Sequence, residues 1–84
     1  MNGALKLILA TTRSEDANPL IDSLMEHEFR ATRINSAGGF LKKGNCTVVI
    51  GVDAEYVDDV LRLIRGSTTH ANVFVLDVAR YERL

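Results

Sequence analysis

Two segments of this chain are apolar on both faces of an extended backbone, and this feature limits the available folds more than any other. In residues 5–10, leucines at every second position alternate with Lys6, Ile8 and Ala10, and residues 47–52 carry valine and isoleucine on both faces. A strand with two apolar faces is typical of the middle of a sheet. Residues 73–78 form a third apolar segment, which we expect to be the last strand.

A helix is predicted between the first two strands. Ser14 or Asn18 is the candidate cap, and Asn18 would put Pro19 at the first helical position, where its missing N–H costs nothing. Apolar residues then recur at helical spacing. The predicted buried face consists of Leu20, Ile21, Leu24 and Met25.

A second helix is predicted after residue 53, with Asp53 as its cap and Gly66 at its end. Asp58 and Arg62 are one turn apart and are expected to pair on the exposed side. The predicted buried face consists of Val57, Val60, Leu61 and Ile64.

Residues 29–36 are polar and alternate weakly, which favours a strand at the edge of the sheet. The order strand, helix, strand, strand, helix, strand is that of the ferredoxin-like fold. We therefore predict an α+β domain over residues 1–84, a βαββαβ sandwich with a four-stranded antiparallel sheet. Right-handed crossovers place both helices on one face of that sheet.

The opposite face of such a sheet has no helix to cover it, yet several strands are apolar on both sides. Exposed apolar patches of that kind are usually covered by a partner. We expect a symmetric homo-oligomer, with two or three subunits as the simplest solutions.

Composition excludes several classes of function. With 84 residues and a net charge of -1, the chain has no strongly basic face for a nucleic acid polymer or an anionic membrane. No segment approaches the roughly 18 apolar residues of a membrane helix, and we expect a cytoplasmic protein. Cys46 is the only cysteine, which excludes an intrachain disulfide and predicts a small buried strand residue.

Catalytic and cofactor sites are not indicated. His27 and His70 have no nucleophile or orienting group at a suitable spacing, and both are expected to face solvent. The spacing of the acidic residues suggests no metal site. Asn45 and Cys46 stand where a nucleotide-hydrolysing P-loop needs lysine and serine or threonine. We predict that the protein is not an enzyme and carries no cofactor.

The loop of residues 38–45, named the glycine loop, is the best candidate for a ligand site. Backbone amides of Gly38 and Gly39 can approach a ligand closely, Phe40 and Leu41 can form an apolar wall for a base, and the Asn45 amide can bind a base edge. The preceding segment adds Arg30 and Thr32, whose guanidinium and hydroxyl suit a phosphate. Alternatively, Phe40 packs on a neighbouring subunit and no ligand is needed.

These residues also carry a resemblance to a known family. The segment Phe29, Arg30, Ala31, Thr32, then Gly38, Gly39, Phe40, Leu41, and then Gly44, Asn45, Thr47, Gly51, Val52 resembles the PII-like cyclic di-AMP receptor proteins. The resemblance implies a homotrimer of ferredoxin-like subunits that binds cyclic di-AMP in clefts between subunits. It also implies ligand contacts from Arg30, Ala31 and Thr32, from Gly38, Gly39, Phe40 and Leu41, and from Asn45 and Gly51.

The chain departs from that family at three places. Ser36, Ala37 and Cys46 replace threonines, which implies fewer hydroxyl contacts to the ligand. A long insertion between the second helix and the last strand is almost entirely missing from residues 65–72. The tail from Tyr81 to Leu84 also differs, since relatives end in aromatic and glutamine residues.

The prediction from the sequence is a non-enzymatic, homotrimeric signalling protein that binds cyclic di-AMP, changes the conformation of the glycine loop and acts on a downstream protein. Two alternatives remain open. One is a trimeric structural or partner-binding module of the same fold, with Phe40 and Leu41 against a protein surface. The other is a sensor of a different small metabolite.

Overall fold

The chain folds in the predicted order of strands and helices. The structure is a computed structural model that describes residues 4–35 and 45–84. Its elements are β1 (Leu5–Arg13), α1 (Ser14–Glu26), β2 (Ala31–Asn35), β3 (Asn45–Asp53), α2 (Val57–Ser67) and β4 (Ala71–Asp77), with a 3-10 turn at Ala54–Tyr56 before α2. This arrangement confirms the predicted α+β, ferredoxin-like class.

The four strands form one antiparallel sheet in the order β2-β3-β1-β4. The two segments that are apolar on both faces, β1 and β3, lie side by side in its centre, and the polar β2 lies at an edge, as predicted. β4 forms the other edge. The register places Leu9 between Val49 of β3 and Phe74 of β4.

Both helices pack on one face of the sheet and enclose the core there. Ile8, Val48 and Ile50 are fully buried beneath the helices, and a buried aliphatic side chain of this size contributes roughly 1.5–3 kcal/mol. The helices contribute Ala17, Leu20, Leu24, Val60 and Ile64 to the same core. Cys46 is buried, as predicted, with its Sγ 3.3 Å from the Ser14 Oγ.

The start of α1 agrees with the earlier of the two sequence alternatives to within one residue. The helix begins at Ser14, its N-cap residue is Arg13, and Pro19 lies inside it. Neither Ser14 nor Asn18 is the cap. The earlier start adds the turn that contains Ala17, which is fully buried, so tertiary packing outweighs the hydrogen bond that a proline within a helix removes.

The buried face of α1 is also narrower than predicted. Leu20 and Leu24 are fully buried and Ile21 is partly buried, but Met25 is 61% exposed, so that prediction was wrong. Ala17, Leu20 and Leu24 follow the i, i+3, i+7 spacing of a single stripe. Met25 lies outside that stripe.

The start of α2 was predicted too early. Asp53 is the N-cap residue of the 3-10 turn, whereas α2 begins at Val57 and ends at Ser67, one residue beyond the predicted end at Gly66. Val60 and Ile64 are buried, and Val57 and Leu61 pack partly on the core, as predicted.

Two further predictions needed correction. Arg62 pairs with Asp59 at 3.1 Å, not with Asp58; residues three and four apart are both neighbours on a helix, and both acids are exposed. β2 begins at Ala31 and not at Phe29. Phe29 instead packs on the core, with its ring 6.0 Å from that of Tyr56.

In the described part of the chain, neither helix is long and apolar enough to cross a membrane.

Candidate functional site

The face of the sheet that lies opposite the helices is named the open face here. Along β1, Ile8, Ala10 and Thr12 are buried toward the helices, so Leu7, Leu9 and Thr11 project to the other side. Residues that pair across antiparallel strands share a face. The open face therefore consists of Leu7, Leu9, Thr11 and Arg13 of β1, Asn45, Thr47, Val49 and Gly51 of β3, Thr32 and Ile34 of β2, and Asn72, Phe74 and Leu76 of β4.

About half of the open face is apolar. One row across the strands contains Val49, Leu9 and Phe74, and the next contains Gly51, Leu7 and Leu76. Phe74 is 55% exposed, Leu76 45% and Ile34 47%. We name Leu7, Leu9, Ile34, Val49, Phe74 and Leu76 the apolar patch. A contiguous surface of this kind is typical of an interaction site.

One end of the open face is polar. Thr11 lies between Thr47 of β3 and Asn72 of β4, and its Oγ1 donates a hydrogen bond to the Asn72 carbonyl at 3.4 Å. The next row holds Asn45 directly opposite Arg13. Because Asn45 is the last residue of the glycine loop, this polar end adjoins the point where the loop enters β3.

A cleft of about 390 Å³ opens at this end, and we name it the polar cleft. Its volume lies within the range of small-molecule sites. It is lined by Thr11, Thr12, Arg13, Asn45, Thr69, His70, Ala71 and Asn72. The three segments that form it are the end of β1, the start of β3, and residues 69–72, which run from the α2–β4 connection into the start of β4.

The connection from α2 to β4 is short and held by hydrogen bonds. The Thr68 Oγ1 donates to the Asp16 Oδ2 at 2.8 Å, which ties the connection to the first turn of α1. The His70 backbone N–H donates to the Thr68 Oγ1 at 3.2 Å. Thr68 thereby fixes the wall of the polar cleft formed by residues 69–72.

The side chains of the predicted ligand residues Ala31 and Thr32 lie on opposite faces of the sheet. Thr32 is opposite Val49 and lies on the open face, whereas Ala31 is opposite Ile50 and packs partly on the core. A side chain on the helix side cannot face a ligand on the open face, which leaves only the Ala31 backbone available there. Arg30 is exposed and lies just before β2.

Gly51 and Asn45 lie on the same strand and the same face, but far apart. Gly51 is opposite Leu7, and a Cβ atom built on it would have no other atom within 4 Å. Six residues of β3 separate it from Asn45, which is about 20 Å at the rise of a strand. Gly38, Gly39, Phe40 and Leu41 lie outside the described residues.

The described site residues thus fall on three depressions of the surface. Asn45 lines the polar cleft, Gly51 lines a depression with Phe29 and Tyr56, and Arg30, Ala31 and Thr32 line a third. One subunit therefore brings Arg30 and Thr32 together, but it does not bring either of them to Asn45.

The sequence reasoning missed Arg13 as a site residue. Its position at the end of the first strand was a signal, but its proximity to Asn45 depends on the pairing of β1 with β3. His27 and His70 are both exposed, as predicted. Over residues 4–35 and 45–84, no three His, Cys, Asp or Glu side chains group as metal ligands.

Comparison with known proteins gives a match over nearly the whole chain. A family model described as cyclic-di-AMP receptor matches residues 5–82. A crystal structure of a functionally unknown protein from Pediococcus pentosaceus is 34% identical, with a TM-score of 0.85, covering 96% of this chain and 98% of that one.

Two more distant structures share the fold alone. CutA1 from Oryza sativa is 10% identical with a TM-score of 0.78, covering 96% of this chain and 85% of that one. A DUF3240 family protein from Shewanella baltica is 14% identical with a TM-score of 0.75, covering 98% of both chains.

Proposed function

The chain belongs to the cyclic-di-AMP receptor family, and from this membership we propose that it is a non-enzymatic signalling protein. It assembles as a homotrimer and binds cyclic di-AMP in the clefts between subunits. Occupancy changes the conformation of the glycine loop, and a downstream protein senses that change.

The division of the candidate site within one subunit is the observation that carries this proposal. Asn45 lies about 20 Å along β3 from Gly51, and the described site residues line three separate depressions. A pocket that includes both Asn45 and Gly51 must extend along β3 or combine surfaces of two subunits. The apolar patch between these ends supports the second arrangement, because a neighbouring subunit on it would bring its own site residues close.

Gly51 supports the same conclusion. Glycine weakens a strand, and it often marks a place where a ligand or another backbone approaches closely. Within the described subunit nothing requires it, since an added Cβ would meet no atom within 4 Å. Close approach of a ligand or a second subunit to the open face explains why this position carries a glycine.

Calorimetry with cyclic di-AMP, cyclic di-GMP and ATP tests the proposal. We expect selective binding of cyclic di-AMP by a protein that sediments as a trimer. The Asn45→Ala variant loses a side-chain hydrogen bond to the ligand, and we expect its Kd to rise roughly tenfold.

Asn18→Ala is the matched control. It removes the same amide from α1, where the Asn18 Oδ1 accepts a hydrogen bond from Arg33 at 2.9 Å, away from the polar cleft. We expect its affinity for cyclic di-AMP to equal that of the wild type. A wild-type protein that binds none of the three nucleotides would refute the ligand, and a monomer at micromolar concentration would refute the assembly.

A further inference from the structure

We propose that the polar cleft is a phosphate site and that Arg13 provides its positive charge, with Asn45 beside it. This inference rests on the proposed function and deepens it: the phosphate is one of those of the cyclic dinucleotide. It adds a residue that the resemblance to the family does not supply. It also assigns the connection into β4 a part in binding.

The pairing of β1 with β3 places the two side chains together. Arg13 and Asn45 are direct partners in the last row of the ladder. Side chains paired in this way project from Cβ atoms about 5 Å apart on one face of the sheet. A guanidinium fork and an amide N–H₂ at that separation can donate to the same phosphate group.

The remaining lining suits the same ligand. Thr69 and Asn72 also line the cleft and carry a hydroxyl and an amide donor, whereas the Thr11 hydroxyl already donates to the Asn72 carbonyl. Continuing the β1–β4 register by one residue places His70 opposite Arg13, and His70 also lines the cleft. The cleft thus combines several donors with very little apolar surface, which favours a phosphate over a purine ring.

The charged groups of the cleft also favour an anionic ligand. Its lining residues include the guanidinium of Arg13 but no carboxylate. Glu15 and Asp16 follow closely in the chain, and the Asp16 Oδ2 already accepts a hydrogen bond from Thr68. In residues 4–35 and 45–84, no carboxylate forms a salt bridge with Arg13.

Arg30 cannot serve a phosphate held at Asn45 in the same subunit. It precedes β2 by one residue, and continuing the β2–β3 register places it opposite Gly51. The separation along the sheet is again about 20 Å, well beyond the reach of an arginine side chain. Arg13 is the arginine that this subunit brings next to Asn45.

The experiment compares Arg13→Gln with Arg62→Gln by calorimetry against cyclic di-AMP. Both substitutions remove one positive charge, but Arg62 lies on the exposed side of α2, where it pairs with Asp59. Loss of a charge-assisted hydrogen bond predicts a rise in Kd of about 10- to 100-fold for Arg13→Gln. We expect no change for Arg62→Gln. Equal affinities for the two variants would overturn the proposal.

A second measurement separates this proposal from the proposed function. Inorganic phosphate is titrated into the labelled wild-type protein, and the backbone amide signals of Asn45, His70 and Asn72 are followed by NMR. We expect these signals to shift in the wild type and in Arg62→Gln, but not in Arg13→Gln. If cyclic di-AMP does not bind and these shifts still occur, the proposed function fails and the phosphate site stands. Absence of the shifts in the wild type, or their persistence in Arg13→Gln, would overturn the site.

Discussion

Replacing Phe74 by lysine is expected to dissociate the proposed trimer without unfolding the subunit. Phe74 lies on the open face and is 55% exposed in the subunit. Of a side-chain surface of roughly 200 Å², about 110 Å² thus remains for an interface to bury. At about 25 cal/mol per Å², this is about 2.7 kcal/mol for each subunit.

A symmetric trimer buries three copies of the side chain, so the substitution removes about 8 kcal/mol from the free energy of trimer formation. This corresponds to a rise of about a million-fold in the trimer dissociation constant. The lysine charge adds a desolvation cost of the same sign if it is buried. Sedimentation velocity at micromolar concentration measures the assembly, and circular dichroism measures the fold. We expect a folded monomer from Phe74→Lys and a trimer from the wild type.

Val75→Lys is a stringent control, because it changes the neighbouring residue of β4. Val75 is 44% exposed but pairs with Ile8, so it lies on the helix side of the sheet. We expect this variant to remain a trimer. The reasoning would be refuted if Phe74→Lys stayed trimeric, or if Val75→Lys dissociated as readily as Phe74→Lys.

Two further predictions concern the stability of the subunit. Leu24→Ala removes a fully buried side chain and is expected to lower the free energy of unfolding by about 3 kcal/mol. Met25→Ala, at an exposed neighbour, should change the free energy of unfolding by less than about 0.5 kcal/mol. Equal losses for the two variants in urea denaturation would contradict the assignment of the core. Gly66→Ala adds a Cβ atom inside the last turn of α2, where it meets no atom within 4 Å. The higher helix propensity of alanine should raise the free energy of unfolding by about 0.5 kcal/mol and so raise the melting temperature. A lower melting temperature would show that the glycine has a packing role.

The strand and helix patterns that depend on near neighbours in the chain were interpreted correctly for the central residues of each element. Alternation over residues 5–10 and 47–52 predicted the two central strands, and helical spacing predicted the buried Leu20 and Leu24. One error arose where two helix starts competed. Pro19 favoured a later start of α1, but burial of Ala17 in the core favoured an earlier one.

The candidate site was predictable to a smaller extent. Arg30, Thr32 and Asn45 were selected for their chemistry, and no local pattern could show that Asn45 lies far from the other two. Ala31 was included by resemblance to the family, but the register places its side chain toward the helices. Arg13 was overlooked because its neighbour Asn45 is remote in sequence.

The amino-acid sequence by itself determined the order of the elements, the central position of β1 and β3, and an apolar surface on both sides of the sheet. These properties follow from the periodicity of side chains along a short stretch of backbone. The tertiary structure alone decided which residues face each other across strands, including Arg13 with Asn45 and Leu9 with Phe74. The physical reason is that the helix-side residues of all strands must pack into one core, and this packing sets the register of the strands. The register in turn determines which residues are neighbours on the open face, although those residues are not part of the core.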